Sequence, residues 1–166
     1  MDFRFTTEES VRRADEIADY LRGPRLWIPR TDYPDFEDWL SRAHSQLKRE
    51  EKRAVVALDS GRVAGVVLYQ EHRGLPGVLE LKNITVRPDV RGRHFAAFML
   101  RNAEVEGLRD FGCSAAVVDA KAGNAGVRRL LLSAGYRPWT TSDLYGLGAG
   151  RDVVYSKSLS QSPKTK

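Results

Sequence analysis

The chain has 166 residues, of which 42% are hydrophobic and 30% charged, the length and balance of one globular domain that buries a core without disulfide or metal staples. Its single cysteine, Cys113, excludes an internal disulfide framework, and His44, His72 and His94 stand alone, with no second histidine or cysteine at a metal-ligand spacing. A formal net charge of +5 suits an anionic partner but does not choose between a nucleotide cofactor, a nucleic acid and an acidic protein surface.

Phe3–Thr6 reads as a short strand. Thr6, with Glu9 three residues on, has the pattern of a capping box, and Val11, Ala14, Ile17, Ala18 and Leu21 recur at helical spacing behind it. Three prolines in residues 23–35 end that helix, after which Phe36, Leu40, Ala43 and Leu47 mark one face of a second. Ala54–Leu58 and Val63–Tyr69 are β-rich runs joined through Asp59, Ser60 and Gly61, a hairpin signature. A turn over Arg73–Gly77 leads to a third strand, Val78–Val86, which stops at Arg87 and Pro88.

A long helix from near Arg93 carries Phe95, Ala96, Met99, Leu100, Ala103 and Gly107 inward and ends by Gly112. Cys113–Val118 is the next strand, with the thiol as a small buried hydrophobe. Asn124 opens a helix that turns Val127, Leu130, Leu131 and Ala134 inward, and Gly135 stands where a left-handed cap is expected. Tyr136–Leu159 reads as two strands around a glycine-rich loop, and residues 161–166 as a disordered polar tail. The apolar runs are too short to cross a bilayer, and the expected location is the cytoplasm. The alternation of elements is an α/β pattern with a mixed sheet.

The most informative stretch is residues 79–100, LELKNITVRPDVRGRHFAAFML, which sets a strand, a basic glycine-containing loop and a helix start in succession. The free N–H groups and the dipole of a helix N-terminus favour phosphate there, and Arg91 and Arg93 would add full charges beside it. This stretch resembles the acyl-CoA-binding motif of the GNAT acetyltransferases, in which a strand ending V-x-P is followed by R/Q-x-x-G-x-G/A; the matching residues are Val86, Arg87 and Pro88, then Arg91, Gly92, Arg93, His94, Phe95 and Ala96. Residues 124–138 are similar to a second segment of that family, N-x-x-A-x-x-L-Y-x-K-x-G-F, with Asn124, Leu130, Gly135 and Tyr136 in register.

The resemblance covers roughly residues 3 to 159 and implies one acyltransferase domain over residues 1–159, followed by the tail 160–166. It further implies a mixed, largely antiparallel sheet of about seven strands, flanked by four helices and splayed at the acyl-CoA site. The activity implied is transfer of an acetyl group from acetyl-CoA, as cosubstrate, to a primary amine by direct attack in a ternary complex. Ile84, Thr85 and Val86 would offer backbone groups to the pantetheine arm, the Val86 N–H would polarise the thioester carbonyl, and Asn124 would bond the arm or simply cap its helix. Arg128 or Arg129 would reach the adenosine phosphates.

Glu80 is the candidate base, placed by strand alternation on the face of Ile84 and Val86, with an ion pair to Lys82 as the competing role. Two positions depart from the family pattern: His94 stands for the first motif glycine, and Leu131 for the tyrosine that protonates the departing thiolate. The substitutes for that acid are Tyr136, Tyr145 or Tyr155, or the thiolate leaves with no acid at all. Trp27, Tyr33 and Trp39, with Arg25 and Arg30, are candidates for the acceptor wall, packing on the sheet being the competing role for Trp39. The acceptor expected is an amine-bearing small molecule or protein, with aminoacyl-tRNA as a variant, no membrane partner, and a homodimer through a sheet edge. A non-catalytic acyl-CoA-binding or partner-binding module is the alternative class, and a nucleic-acid-binding domain comes last.

Overall fold

A computed structural model describes residues 2–26, 28–148 and 151–159, so Trp27, two residues of the glycine-rich loop and the tail from residue 160 lie outside the described residues. The elements follow the order β1 (Phe3–Thr6), α1 (Ala14–Arg22), α2 (Phe36–Lys48), β2 (Arg53–Asp59), β3 (Arg62–Glu71), β4 (Val78–Val86), α3 (Phe95–Phe111), β5 (Ala115–Lys121), α4 (Ala125–Ser133), β6 (Arg137–Ser142) and β7 (Asp152–Ser158). A short 3-10 turn, Pro88–Val90, separates β4 from α3.

The seven strands form one sheet in the order β1-β2-β3-β4-β5-β7-β6. Only β4 and β5 run parallel; every other neighbouring pair is antiparallel. This is the mixed, largely antiparallel seven-stranded sheet with four helices that the resemblance implies. Strand alternation divides the core. Ala54, Val56, Leu58, Val66 and Leu68 face α1 and α2, whereas Val55, Ala57, Val67, Leu79 and Leu81 face α3. Gly107 lets α3 approach closely: a Cβ there would lie 2.5 Å from a Leu79 methyl.

Several local details differ from the sequence pattern. The capping box at Thr6 and Glu9 does not form. Glu9 instead binds Arg13, Arg4 at 2.6 Å and Arg12 at 3.1 Å, and α1 starts only at Ala14, so three arginines outcompete a backbone N–H for this carboxylate. β5 begins two residues after Cys113 and runs past Val118 to Lys121. Asp119 ends the apolar run, but backbone pairing with β7 continues from Asp119 to Lys121. β6 is an edge strand, and Trp139 is 61% exposed on it.

Lys52 is 4% exposed, with Nζ 5.3 Å from the centre of the Trp39 ring. Burial depresses its pKa to about 8, although Glu80 pulls the other way. An unfolded chain holds this proton to about pH 10.5 and the folded one releases it near 8, so this group raises stability as pH climbs through that window and costs stability below it. Lys52→Met should therefore stabilise the protein at pH 7 by about 1–3 kcal/mol and flatten the rise in stability above pH 8, as read by urea denaturation at several pH values.

α3 begins on a left-handed residue, His94, at φ 61° and ψ 14°. That conformation costs an L-residue roughly 1–2 kcal/mol, which glycine avoids. His94→Gly is expected to raise the unfolding free energy by about 0.5–1 kcal/mol, part of the gain being lost to glycine's greater freedom when unfolded. Destabilisation in the same denaturation measurement would show instead that the imidazole makes a contact of greater worth.

Candidate functional site

The site arises where β4 and β5 part. Their parallel ladder pairs Val78 with Ala115 through to Leu81 with Val118 and stops there, although β4 continues to Val86 and β5 to Lys121. A bulge in β4 accompanies the parting: Val66 pairs with Thr85 and Leu68 with Lys82, so that Asn83 and Ile84 of β4 stand against Val67 of β3, and Asn83 takes φ 51°. The extra residue reverses the side-chain alternation. Leu79 and Leu81 before it, and Ile84 and Val86 after it, all pack towards α3. Glu80 is thereby turned to the opposite face from Ile84 and Val86, which corrects the placement expected from simple alternation.

On the α3 side of the wedge lies a cavity of about 890 Å³, lined by Ile84, Thr85 and Val86 from β4, Arg91, Gly92, His94, Phe95 and Ala96 from the loop and α3, and Asn124, Arg129 and Leu130 from the start of α4. The first-turn N–H groups of α3 have no intrahelical acceptor, and the left-handed Gly92, at φ 77°, and His94 turn the chain into the helix. Arg91 is anchored by Nε to the Val86 carbonyl at 2.9 Å, which holds its guanidinium at the cavity wall. Arg87 is committed elsewhere, to Asp59 at 2.7 Å and Asp89 at 2.6 Å, and these bonds raise its pKa further. The Asn124 side chain accepts from the Val127 N–H at 3.2 Å, so it caps α4 while also lining the cavity.

Four of the expected site residues stand away from this cavity. The Arg93 guanidinium lies 5.5 Å from the Phe3 ring centre, on the β1 side of α3. Arg128 turns inward, donating to the Tyr155 hydroxyl at 2.9 Å and the Ala122 carbonyl at 2.8 Å, and its neighbour Arg129 is the one that lines the cavity. Tyr136 is fully buried; its hydroxyl donates to Glu104 at 2.9 Å, and Lys157 Nζ sits 2.8 Å from the same carboxylate. Burial first, and then Glu104, push the Tyr136 phenol far above its ordinary range, and the residue lines neither the cavity nor the chamber across the wedge. Glu80 accepts from Gln70 Nε2 at 2.6 Å, sits 3.7 Å from Lys82 Nζ, and does not line the chamber described next.

Across the wedge, on the α1–α2 face, is a smaller chamber of about 280 Å³ that shares Ile84, Thr85, Asn124 and Val127 with the first cavity. Leu26, Ile28, Pro29 and Phe36 give it apolar walls. Tyr33, from the α1–α2 loop, and Tyr145, from the β6–β7 loop, meet at its rim edge to face, with ring centres 5.1 Å apart. The chamber also holds Lys82 and Asp119, which pair directly across the gap between the strands, and Tyr145 donates to the other Asp119 oxygen at 3.2 Å. Burial works against the Lys82 charge, but Asp119 and Glu80 outweigh it and hold the ammonium above its usual range. Burial, then Asp119 and Tyr33, raise the Tyr145 phenol, so at neutral pH it is a donor fixed on Asp119.

Of the tyrosines considered as substitutes for the missing acid, Tyr155 is buried against Arg128 and only Tyr145 reaches the chamber. Leu131, at the family tyrosine's position, is buried in the core. Among the acceptor-wall candidates, Tyr33 lines the chamber, while Trp39 packs beside Phe36 with ring centres 6.0 Å apart. Arg30 pairs with Glu37 at 2.8 Å, and Arg25 is exposed. Asp119, Lys121 and Arg129 carry no signal in periodicity or spacing. Only the point at which the β4–β5 ladder stops singles out Asp119.

Among the described residues, no helix is long and apolar enough to cross a membrane, and no cluster of three or more His, Cys, Asp or Glu side chains is placed to hold a metal ion. No curated protein matches the sequence at a significant level. Solved structures share the fold. A protein from Desulfovibrio desulfuricans assigned to the GNAT acetyltransferases superposes with a TM-score of 0.74 at 14% identity, over 96% of this chain and 100% of its own. The ribosomal-protein-S18-alanine N-acetyltransferase of Escherichia coli gives 0.71 at 18% identity, over 99% of both chains. A Salmonella typhimurium protein solved with its cofactor acetyl-CoA gives 0.66 at 18% identity, over 100% of this chain and 99% of its own. The profile of the acetyltransferase (GNAT) family matches residues 14–136, most of the sheet together with the wedge and both cavities' main walls, and the chain belongs to that family.

Proposed function

We propose that the protein is an N-acetyltransferase that moves an acetyl group from acetyl-CoA to a primary amine by direct attack, both substrates being bound at once. The observation that carries this reading is that the two cavities share Ile84, Thr85, Asn124 and Val127 at the β4–β5 wedge, so that a donor on one face of the sheet and an acceptor on the other would meet at Ile84 and Thr85. The wild-type residues fit such a donor. The free N–H groups at the start of α3, with Arg91 and Arg129, suit a diphosphate, and the gap between the strands suits a narrow, extended arm. When bound, acetyl-CoA supplies an activated thioester; the chain orients it and manages charge.

The backbone of Ile84–Val86 is left without a β5 partner, so its groups are available to hold the arm and to donate to the developing oxyanion. Asp119 is the carboxylate placed to receive the acceptor's ammonium and to take its proton, because it lines the chamber and is steadied by Tyr145 and Lys82. Glu80, on the far side of Lys82, tunes that charge without touching the amine. The apolar and aromatic walls fit an amine on a slender arm, borne by a small molecule or a protein. The activity of the similar E. coli protein, on a ribosomal-protein alanine, lends support to the second. The exposed edge at β6 is where two copies would pair.

Release of CoA thiol from acetyl-CoA, followed across aliphatic amines, arylalkylamines and peptides with a free N-terminus or lysine, tests the activity. With any amine the wild type accepts, Asp119→Asn should lower kcat/KM by roughly 100-fold or more, and Glu80→Gln by much less. The reverse ranking would return the base to Glu80. Turnover on none of the amines by a protein that binds acetyl-CoA would favour the non-catalytic binding module.

A further inference from the structure

The Lys82–Asp119 pair closes the wedge on the chamber side at the point where the two strands part. Leu81 and Val118 are the last paired rung of β4 and β5, and Lys82 and Asp119 are the next residue on each strand. Their side chains join across the opening on the chamber side. Neither end is free to swing. Lys82 also lies 3.7 Å from Glu80, which is fixed by Gln70 at 2.6 Å, and Asp119 takes a second bond from Tyr145. Tyr145 is held in turn by the Tyr33 ring and by Lys121 Nζ, 4.0 Å from its ring centre, while Lys121 is 2.8 Å from the buried Asp152. The result is a charged bar across the wedge, tied at both ends into neighbouring strands and the β6–β7 loop.

Resting on the donor reading above, we infer that the Lys82–Asp119 ion pair sets the length of acyl group the protein takes, admitting acetyl and excluding medium chains. Two costs act together. Methylene groups laid against the pair strip solvent from two partly buried charges, side chains that are 22% and 12% exposed, and offer them no hydrogen bond in return. Moving the bar aside breaks the pair and the Tyr145 bond at once. The remaining space, about 280 Å³ closed by Tyr33, Tyr145, Ile28 and Phe36, is the space the acceptor needs, so a chain that turned into it would compete with the amine.

Calorimetric titration of the full chain with CoA, acetyl-CoA and octanoyl-CoA tests this without an acceptor. The wild type should bind acetyl-CoA at least roughly tenfold more tightly than octanoyl-CoA. In the double variant Lys82→Ala with Asp119→Ala, the two Kd values should converge to within about threefold while acetyl-CoA binding persists. If the double variant fails to fold, Lys82→Met, which keeps the side chain's length and removes its charge, must give the same convergence. Wild-type protein that binds octanoyl-CoA as tightly as acetyl-CoA overturns the inference and leaves the donor reading intact. Wild-type protein that binds none of the three overturns the donor reading and this inference with it.

Discussion

The parting of β4 from β5 is the constraint on which the rest of the site depends. Two parallel strands that pair from Val78 to Leu81 and then separate leave Ile84–Val86 paired with β3 alone, and backbone groups that face the missing β5 neighbour cost free energy unless something else satisfies them, as Arg91 does for the Val86 carbonyl. The bulge at Asn83 supplies the mechanical cause. An extra residue in β4 bends and twists the strand away from β5 while keeping its antiparallel hold on β3. That single irregularity opens the gap, connects the two faces of the sheet, turns Ile84 and Val86 towards α3, and leaves Glu80 and Lys82 facing the other way.

Charge is arranged accordingly on the two faces. On the α3 side the unshared N–H groups, Arg91 and Arg129 make a cationic wall, whereas Arg87, Arg93 and Arg128 are engaged elsewhere in the structure. A basic loop read as a string of arginines therefore overstates its local charge. Two of its members act on structure, tying the strand end to the hairpin turn at Asp59 and covering Phe3. On the opposite face the cations and anions alternate through Glu80, Lys82, Asp119 and, beyond Tyr145, Lys121 and Asp152. Such a chain has little net charge and fixed geometry.

Much of this was legible in the residues themselves. The β-rich apolar runs of β2 and β3, the 3.6-residue stripe of α3 and the turn residues at Asp59–Gly61 all act locally, so they fix elements without tertiary information. The loop from Arg91 to Ala96 and the Asn124 cap were legible for the same reason. What escaped was decided by contacts distant in sequence. The bulge depends on how β4 registers against β3, and it overturns a face assignment made by counting residues from Glu80. Tyr136 matches a family position, but Glu104, thirty-two residues earlier, claims its hydroxyl. Arg128 and Arg129 are equivalent in composition, and only the position of Tyr155 on β7 turns the first inward.

If the α3 N-terminus and the unpaired end of β4 together hold an acyl-CoA donor, backbone amide hydrogen exchange with and without acetyl-CoA will register the contact at both segments. Protection gained on adding acetyl-CoA should concentrate at His94–Ala97 and Ile84–Val86, with little change on the exposed edge strand β6. Exchange at both segments unaltered by saturating acetyl-CoA, or protection gained only at a remote surface, would contradict it.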